Sequence, residues 1–204
     1  MAAHSIPRHV ILTGPPGMGK TTVVRKVVEQ LVKEDLPIQG FYTEELRKDG
    51  KRIGFDCVSV TDTDNREPLA RVAEGRPKKM SVGNYNVDIE SFEKIAFPSL
   101  SHEKGQVMPI WIIDEVGKME MFSDNFTQTV VDLVNAPNTT ILAVVPVPKG
   151  RPTPILDEIR QRKDVKSIWV SKLNRDNIIK DVTEALTESY HTYAPQDDTS
   201  DDVT

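Results

Sequence analysis

Cysteine is nearly absent. Cys57 stands alone in 204 residues, so no disulfide can close within the chain, which suits a reducing compartment. No apolar run approaches the roughly 20 residues that span a bilayer, and no membrane partner is expected. The opening MAAHSIPRHV lacks a basic segment followed by an apolar stretch and a cleavage site, so a secretory signal is not predicted. Histidine is scarce too: His4, His9, His102 and His191 share no ligand spacing, which argues against zinc. The net charge is −5 and no Lys/Arg block occurs, so no nucleic-acid partner is expected. These absences predict a cytoplasmic protein, and a monomer is expected. Residues 1–7 read as an N-terminal extension, 8–190 as a single domain without internal repeats, and the acidic 191–204 as a disordered tail.

What is present is an alternation of apolar runs and amphipathic stretches, the pattern of an α/β fold with a mostly parallel central sheet flanked by helices. His9 to Thr13 reads as a first strand. A helix from Lys20 to about Lys33 buries Val23, Val24, Val27, Val28 and Leu31. FYTEELRKDGKRIGFDCVSV (41–60) reads as an inserted β-hairpin turning at Asp49-Gly50 in type I′ geometry. The polar stretch 61–79 reads as a surface loop, and 81–87 as a short strand. Asp88 caps a helix carrying Phe92, Ile95 and Ala96, which Pro98 ends or kinks. IWIID (110–114) is a buried strand; Phe126, Val130, Leu133 and Val134 mark a helix, and 139–145 a further strand. Thr153-Pro154 starts a helix to about Arg162. Ser167 to Val170 reads as the last strand, and Asn174 as the cap of the last helix.

Gly14, Pro15, Pro16, Gly17, Met18, Gly19, Lys20 and Thr21 satisfy G-x-x-x-x-G-K-[ST], with Thr22 next. The strand before and the helix after supply the context the motif needs. Glycines let consecutive N–H groups converge on phosphate oxygens, and the helix N-terminus adds its positive end. Lys20 is expected to bridge β- and γ-phosphates and the Thr21 hydroxyl to ligate Mg²⁺. The pattern predicts a nucleotide site.

Asp114 and Glu115 end an apolar strand, where carboxylates are costly unless they meet a cation or water. Asp114 fits the Walker B position, holding Mg²⁺ partly through water. Glu115 is placed to orient, and take a proton from, a water attacking the γ-phosphate. That pair favours hydrolysis over transfer to an acceptor. Ser171-Lys172-Leu173-Asn174 only loosely resembles a guanine-reading [NT]-K-x-D, because Asn174 lacks the carboxylate. For a transition-state cation the sequence offers Arg52, Arg151, Arg160, Arg162 and Lys118 without choosing among them.

GPPGMGKTT, GFYTEE (40–45), RIGFD (52–56), IDEVGKMEMF (113–122), PVPKG (146–150) and EIRQRKDVK (158–166) together resemble the cancer-related nucleoside triphosphatases of vertebrates. These are a branch of a P-loop family first known from thermophilic bacteria and archaea, and the resemblance runs over roughly residues 8–187. It implies a RecA-like P-loop fold and Mg²⁺-dependent hydrolysis of ATP, GTP, CTP and UTP to diphosphate and phosphate, with broad base tolerance. It also implies phosphate binding by residues 14–21 and metal and water handling by Asp114 and Glu115. Prokaryotic members keep a polar residue after the strand that follows Walker B, where this chain reads Val145-Pro146-Val147. A small-molecule or nucleotide kinase is the main rival, with Arg66, Arg71 and Arg76 in the 61–79 stretch as lid residues. A nucleotide-driven remodelling module and a nucleotide switch are the others.

Overall fold

Apolar runs and amphipathic stretches become layers because each sheet residue points to one face and its neighbour to the other. The computed structural model describes residues 6–76, 79–103, 105–147 and 153–194. Among these, nine strands form one mixed sheet: β1 (His9–Thr13), β2 (Ile38–Lys48), β3 (Lys51–Ser59), β4 (Arg66–Val72), β5 (Ser81–Val82), β6 (Tyr85–Val87), β7 (Ile110–Asp114), β8 (Thr140–Val144) and β9 (Val165–Trp169). Their spatial order is β5-β6-β4-β3-β2-β7-β8-β1-β9. From β2 to β9 the pairs are parallel; from β2 outward to β5 they are antiparallel.

Helices cover both faces. Val10, Leu12, Ile110, Ile112, Leu142 and Val144 point towards α1 (Lys20–Lys33) and α5 (Ile178–Tyr193). Their neighbours Ile11, Trp111, Ile113, Ile141 and Ala143 point the other way, towards α2 (Ile89–Leu100), α3 (Asp124–Asn135) and α4 (Pro154–Gln161). Burial on both faces is why these strands read as continuous apolar runs. Phe41, Phe92 and Phe126 meet at the centre of the second layer with ring centroids 5.1–5.8 Å apart.

The hairpin turns at Asp49 (φ 51°) and Gly50 (φ 75°), the two left-handed positions that a type I′ turn requires. It begins earlier than its strand-prone core suggested, at Ile38. Several expectations change. The stretch 61–79 is not a structureless loop, since Arg66–Val72 forms β4 against β3. Leu69 and Ala70 are buried, while charged residues on the open side hide any alternation. The segment 81–87 is two short strands turning at Gly83, not one. Helix α2 continues through Pro98 to Leu100, and the Gln39 amide donates to the carbonyls of Pro98 and Ser101 that the helix end leaves open.

Asn174 does not cap the last helix, which begins at Ile178. Its Oδ1 accepts from the Ser171 amide (2.8 Å) and hydroxyl (3.1 Å), and its Nδ2 donates to the Trp169 carbonyl (2.7 Å). The side chain thus pins the turn after β9. The expected tail is shortened, because α5 runs through Tyr193 and the Tyr193 hydroxyl donates to the Ile6 carbonyl. Residues 1–5 and 195–204 lie outside the described residues, as does most of the PVPKG stretch.

Candidate functional site

Parallel pairing lines up the strand ends. Tyr42 stands beside Asp114, Asp114 beside Val144, and Thr13 beside Trp169. The loops leaving β1, β7, β8 and β9 therefore open at one edge of the sheet, where ligands of open α/β sheets bind.

The first of these loops is residues 14–19. Gly14 (φ 152°) lies so close to β9 that a Cβ would sit 2.4 Å from the Val170 carbonyl oxygen, so no larger residue fits. Pro15, Pro16 and Gly17 are exposed, Met18 leans on the core, and Gly19 leads into α1 from a left-handed conformation (φ 91°). Lys20 is only 9% exposed and folds back across the loop; its Nζ donates to the carbonyls of Gly14 (3.1 Å) and Pro15 (3.2 Å). Thr21 follows on the same helical turn, with Thr22 facing solvent.

Across from the loop, Asp114 is 1% exposed, and the neighbouring Thr21 hydroxyl favours its charged form. Its Oδ2 is buried without a partner among the described residues. Burial first, and then the charge of Glu115, push its carboxyl up to about 7 against the pull of Thr21 and Lys20. A buried carboxylate oxygen with no donor, beside a hydroxyl, is the setting a hard divalent cation fits. Glu115 is half-buried; desolvation raises its carboxyl above the usual range and Lys20 opposes the shift. Loop 14–19, Lys20, Thr21, Asp114 and Glu115 thus converge.

The cation candidates separate. Arg52 pairs with Glu45 on the hairpin, and Arg162 with Asp164 and Asn135. Arg151 lies outside the described residues. Arg160 reaches Asp157 (2.7 Å) and the Pro146 carbonyl. With Lys118 it lines a cavity of about 40 Å³ just beyond β8. Arg66 and Arg71 are no lid: both are drawn to the buried Asp56, Arg66 at 2.8 Å and Arg71 at 2.5 Å, and Arg66 also reaches Glu44.

Two residues near the site carried no sequence signal. Glu120 is 3% exposed, six residues past Asp114, and its Oε2 accepts from the Gly117 amide at 3.1 Å. Arg175 lies against the phosphate loop, 3.2 Å from where a Gly19 Cβ would stand. Only the local motifs were visible beforehand; these contacts come from the fold.

The NTPase family model matches residues 9–183. The chain belongs to the NTPase family. It is similar to the human protein named cancer-related nucleoside-triphosphatase, 46% identical over 188 residues, covering 89% of this chain and 98% of that one. It is also similar to nucleoside-triphosphatase THEP1 of Aquifex aeolicus, 36% identical over 183 residues, covering 87% and 98%. Among solved structures, the solution structure of a human cancer-related nucleoside triphosphatase matches with a TM-score of 0.75 over 89% of this chain and 98% of that one. The crystal structure of THEP1 from Aquifex aeolicus matches with the same score at 33% identity, over 87% and 98%. In this NTPase-family chain, GPPGMGKTT and the start of IDEVGKMEMF meet at the edge where the loops open.

Proposed function

We propose that this site hydrolyses ATP, GTP, CTP and UTP to diphosphate and phosphate with Mg²⁺ and little regard for the base, in a cytoplasmic, monomeric protein. The chain is a nucleoside triphosphatase, a hydrolase of the phosphoric anhydride bond. The observation that carries the reading is the convergence of the 14–19 loop and Lys20 on the buried Asp114–Glu115 pair. Lys20 gives up the two loop carbonyls and donates to phosphate oxygens, while the loop amides hold the remaining ones. Thr21 and the unpartnered Asp114 Oδ2 hold Mg²⁺, Asp114 partly through water. Bound Mg²⁺ offsets charge on the β- and γ-phosphates. Glu115 orients a water whose oxygen attacks the γ-phosphorus; the bond to the bridging oxygen breaks, the diphosphate leaves, and Glu115 takes the water's proton.

Base tolerance has its own support. The turn after β9 flanks the phosphate loop, yet the Asn174 amide is spent on Ser171 and Trp169. Beside it Leu173 is 93% exposed and offers a base an apolar face without hydrogen-bonding edges.

Phosphate release with each of the four nucleotides, with and without Mg²⁺, tests the reading beside Glu115→Gln. Release from all four, dependent on Mg²⁺ and reduced about 10²- to 10⁴-fold in the variant, is expected. Near wild-type hydrolysis by Glu115→Gln would remove Glu115 from the reaction.

A further inference from the structure

We propose that Glu120 is a positioning residue for this hydrolysis: through the Gly117 amide it fixes the turn that aims Glu115 at the attacking water. The role rests on Glu115 being the water-activating group.

After Asp114 the chain turns through Glu115, Val116 and Gly117 and enters a 3-10 turn at Glu120–Phe122. Just past Glu115, the Val116 amide donates to the Val144 carbonyl of β8 at 2.8 Å. The next amide, that of Gly117, donates to Glu120 Oε2 at 3.1 Å. The Met121 amide closes the same turn onto the Gly117 carbonyl at 3.0 Å. The chain leaving Glu115 is therefore anchored twice in succession, once on β8 and once on the Glu120 side chain.

Gly117 shows how tightly the two acids are brought together. A Cβ there would lie 2.5 Å from Glu115 Oε1 and 2.9 Å from Glu120 Oε2. Its backbone is outside the left-handed region, so the need for glycine is space, and that space is filled by the two carboxyl groups.

Glu120 is also expensive where it stands. It is 3% exposed, and no lysine or arginine pairs with it among the described residues. A leucine of similar size would avoid the cost of burying a carboxyl group. Burial, reinforced by the charge of Glu115, raises its carboxyl well above the usual range. A neutral acid meets the need, since its oxygen still accepts from Gly117 without adding a negative charge beside the phosphates.

The test compares Glu120→Leu, Glu120→Gln and Gly117→Ala with wild type and Glu115→Gln in the full chain. The readouts are kcat and KM for ATP with Mg²⁺, the Kd of a fluorescent ATP analogue, and the thermal midpoint. Glu120→Leu and Gly117→Ala are expected to lose about 10²-fold in kcat through misplacement of Glu115, with Kd unchanged. Glu120→Gln, which keeps an acceptor for the Gly117 amide, recovers most of that loss. Wild-type kcat in Glu120→Leu overturns the proposal. So does a Glu120→Gln as slow as Glu120→Leu, which would make the carboxyl group itself the requirement. A Kd that weakens in step with kcat would mean general damage to the site and overturns it as well. Should Glu120→Leu not fold, Gly117→Ala decides, since full kcat there refutes the positioning. An active Glu115→Gln would overturn the reading of the site; an inactive one beside a fully active Glu120→Leu would overturn only the role of Glu120.

Discussion

The strand that delivers the phosphate loop starts with a buried histidine, and its titration tests how that strand is packed. His9 is 2% exposed at the head of β1, with Nε2 3.2 Å from the Val134 carbonyl of α3. Donation from Nε2 to that oxygen leaves Nδ1 buried without a partner among the described residues. Burial, followed by the neighbouring Arg8 charge, lowers the ring from 6.5 to about 4. The unfolded chain therefore takes up this proton before the native one does. The stabilisation is complete above 6.5 and is lost as pH falls towards 4. At about 1.4 kcal/mol per pH unit, the loss amounts to about 3 kcal/mol between about pH 7 and pH 4. Other groups titrate in the same window, so the quantity to measure is a difference. Urea unfolding of wild type and His9→Gln is followed across that range; Gln keeps a donor for Val134 but binds no proton. The variant should gain on wild type by about 3 kcal/mol as the pH is lowered. Parallel curves would refute the reasoning and mean that the native ring titrates as it does in the unfolded chain.

Asp114 works in the opposite direction. Its native value of about 7 lies above the free 3.8, so its contribution is complete below 3.8 and lost as pH rises through 7; Asp114→Asn should flatten that part of the nucleotide-free stability curve. Lys20→Ala should weaken nucleotide binding at least about tenfold, because a hydrogen bond to a charged group contributes about 1.5–3 kcal/mol; titration with a fluorescent nucleotide reads it. Phe126→Ala, which empties the centre of the three-ring cluster, should cost about 3–5 kcal/mol in urea unfolding, with the KM of the folded fraction unchanged.

What was legible in the sequence follows from how local each signal is. The phosphate loop is a contiguous backbone device, so its glycines, Lys20 and Thr21 announce it. β7 and β8 are buried on both faces and read as unbroken apolar runs. β4 escaped because helix α2 covers one of its faces while the other carries Arg66 and Arg71 towards Asp56. Pro68 in mid-strand adds to the disguise. Asn174 was misread because its composition suits a cap, and only the fold shows its side chain turned back to Ser171 and Trp169. Glu120 had no pattern at all, since a lone glutamate after a turn is ordinary until its burial is known.

The balance of charge bears on the expected rate. Asp114, Glu115 and Glu120 crowd one end of β7, and the cation that acts on the first two is Lys20. In the absence of phosphate, Lys20 is satisfied by two carbonyls, so the proposed hydrolysis requires it to exchange them for the substrate's oxygens. The described arginines weighed for the transition state are engaged elsewhere: Arg52 with Glu45, Arg162 with Asp164, and Arg160 with Asp157 and the Pro146 carbonyl. An arginine finger is worth about 10³- to 10⁵-fold. Among the described residues, Arg160 is held by Asp157 at the edge of the site and does not supply that factor from there. Without such a finger, turnover should resemble that of an unaided P-loop GTPase rather than that of a motor; a faster rate would require an arginine to reach the phosphate, either Arg160 released from Asp157 or Arg175 from beside the phosphate loop.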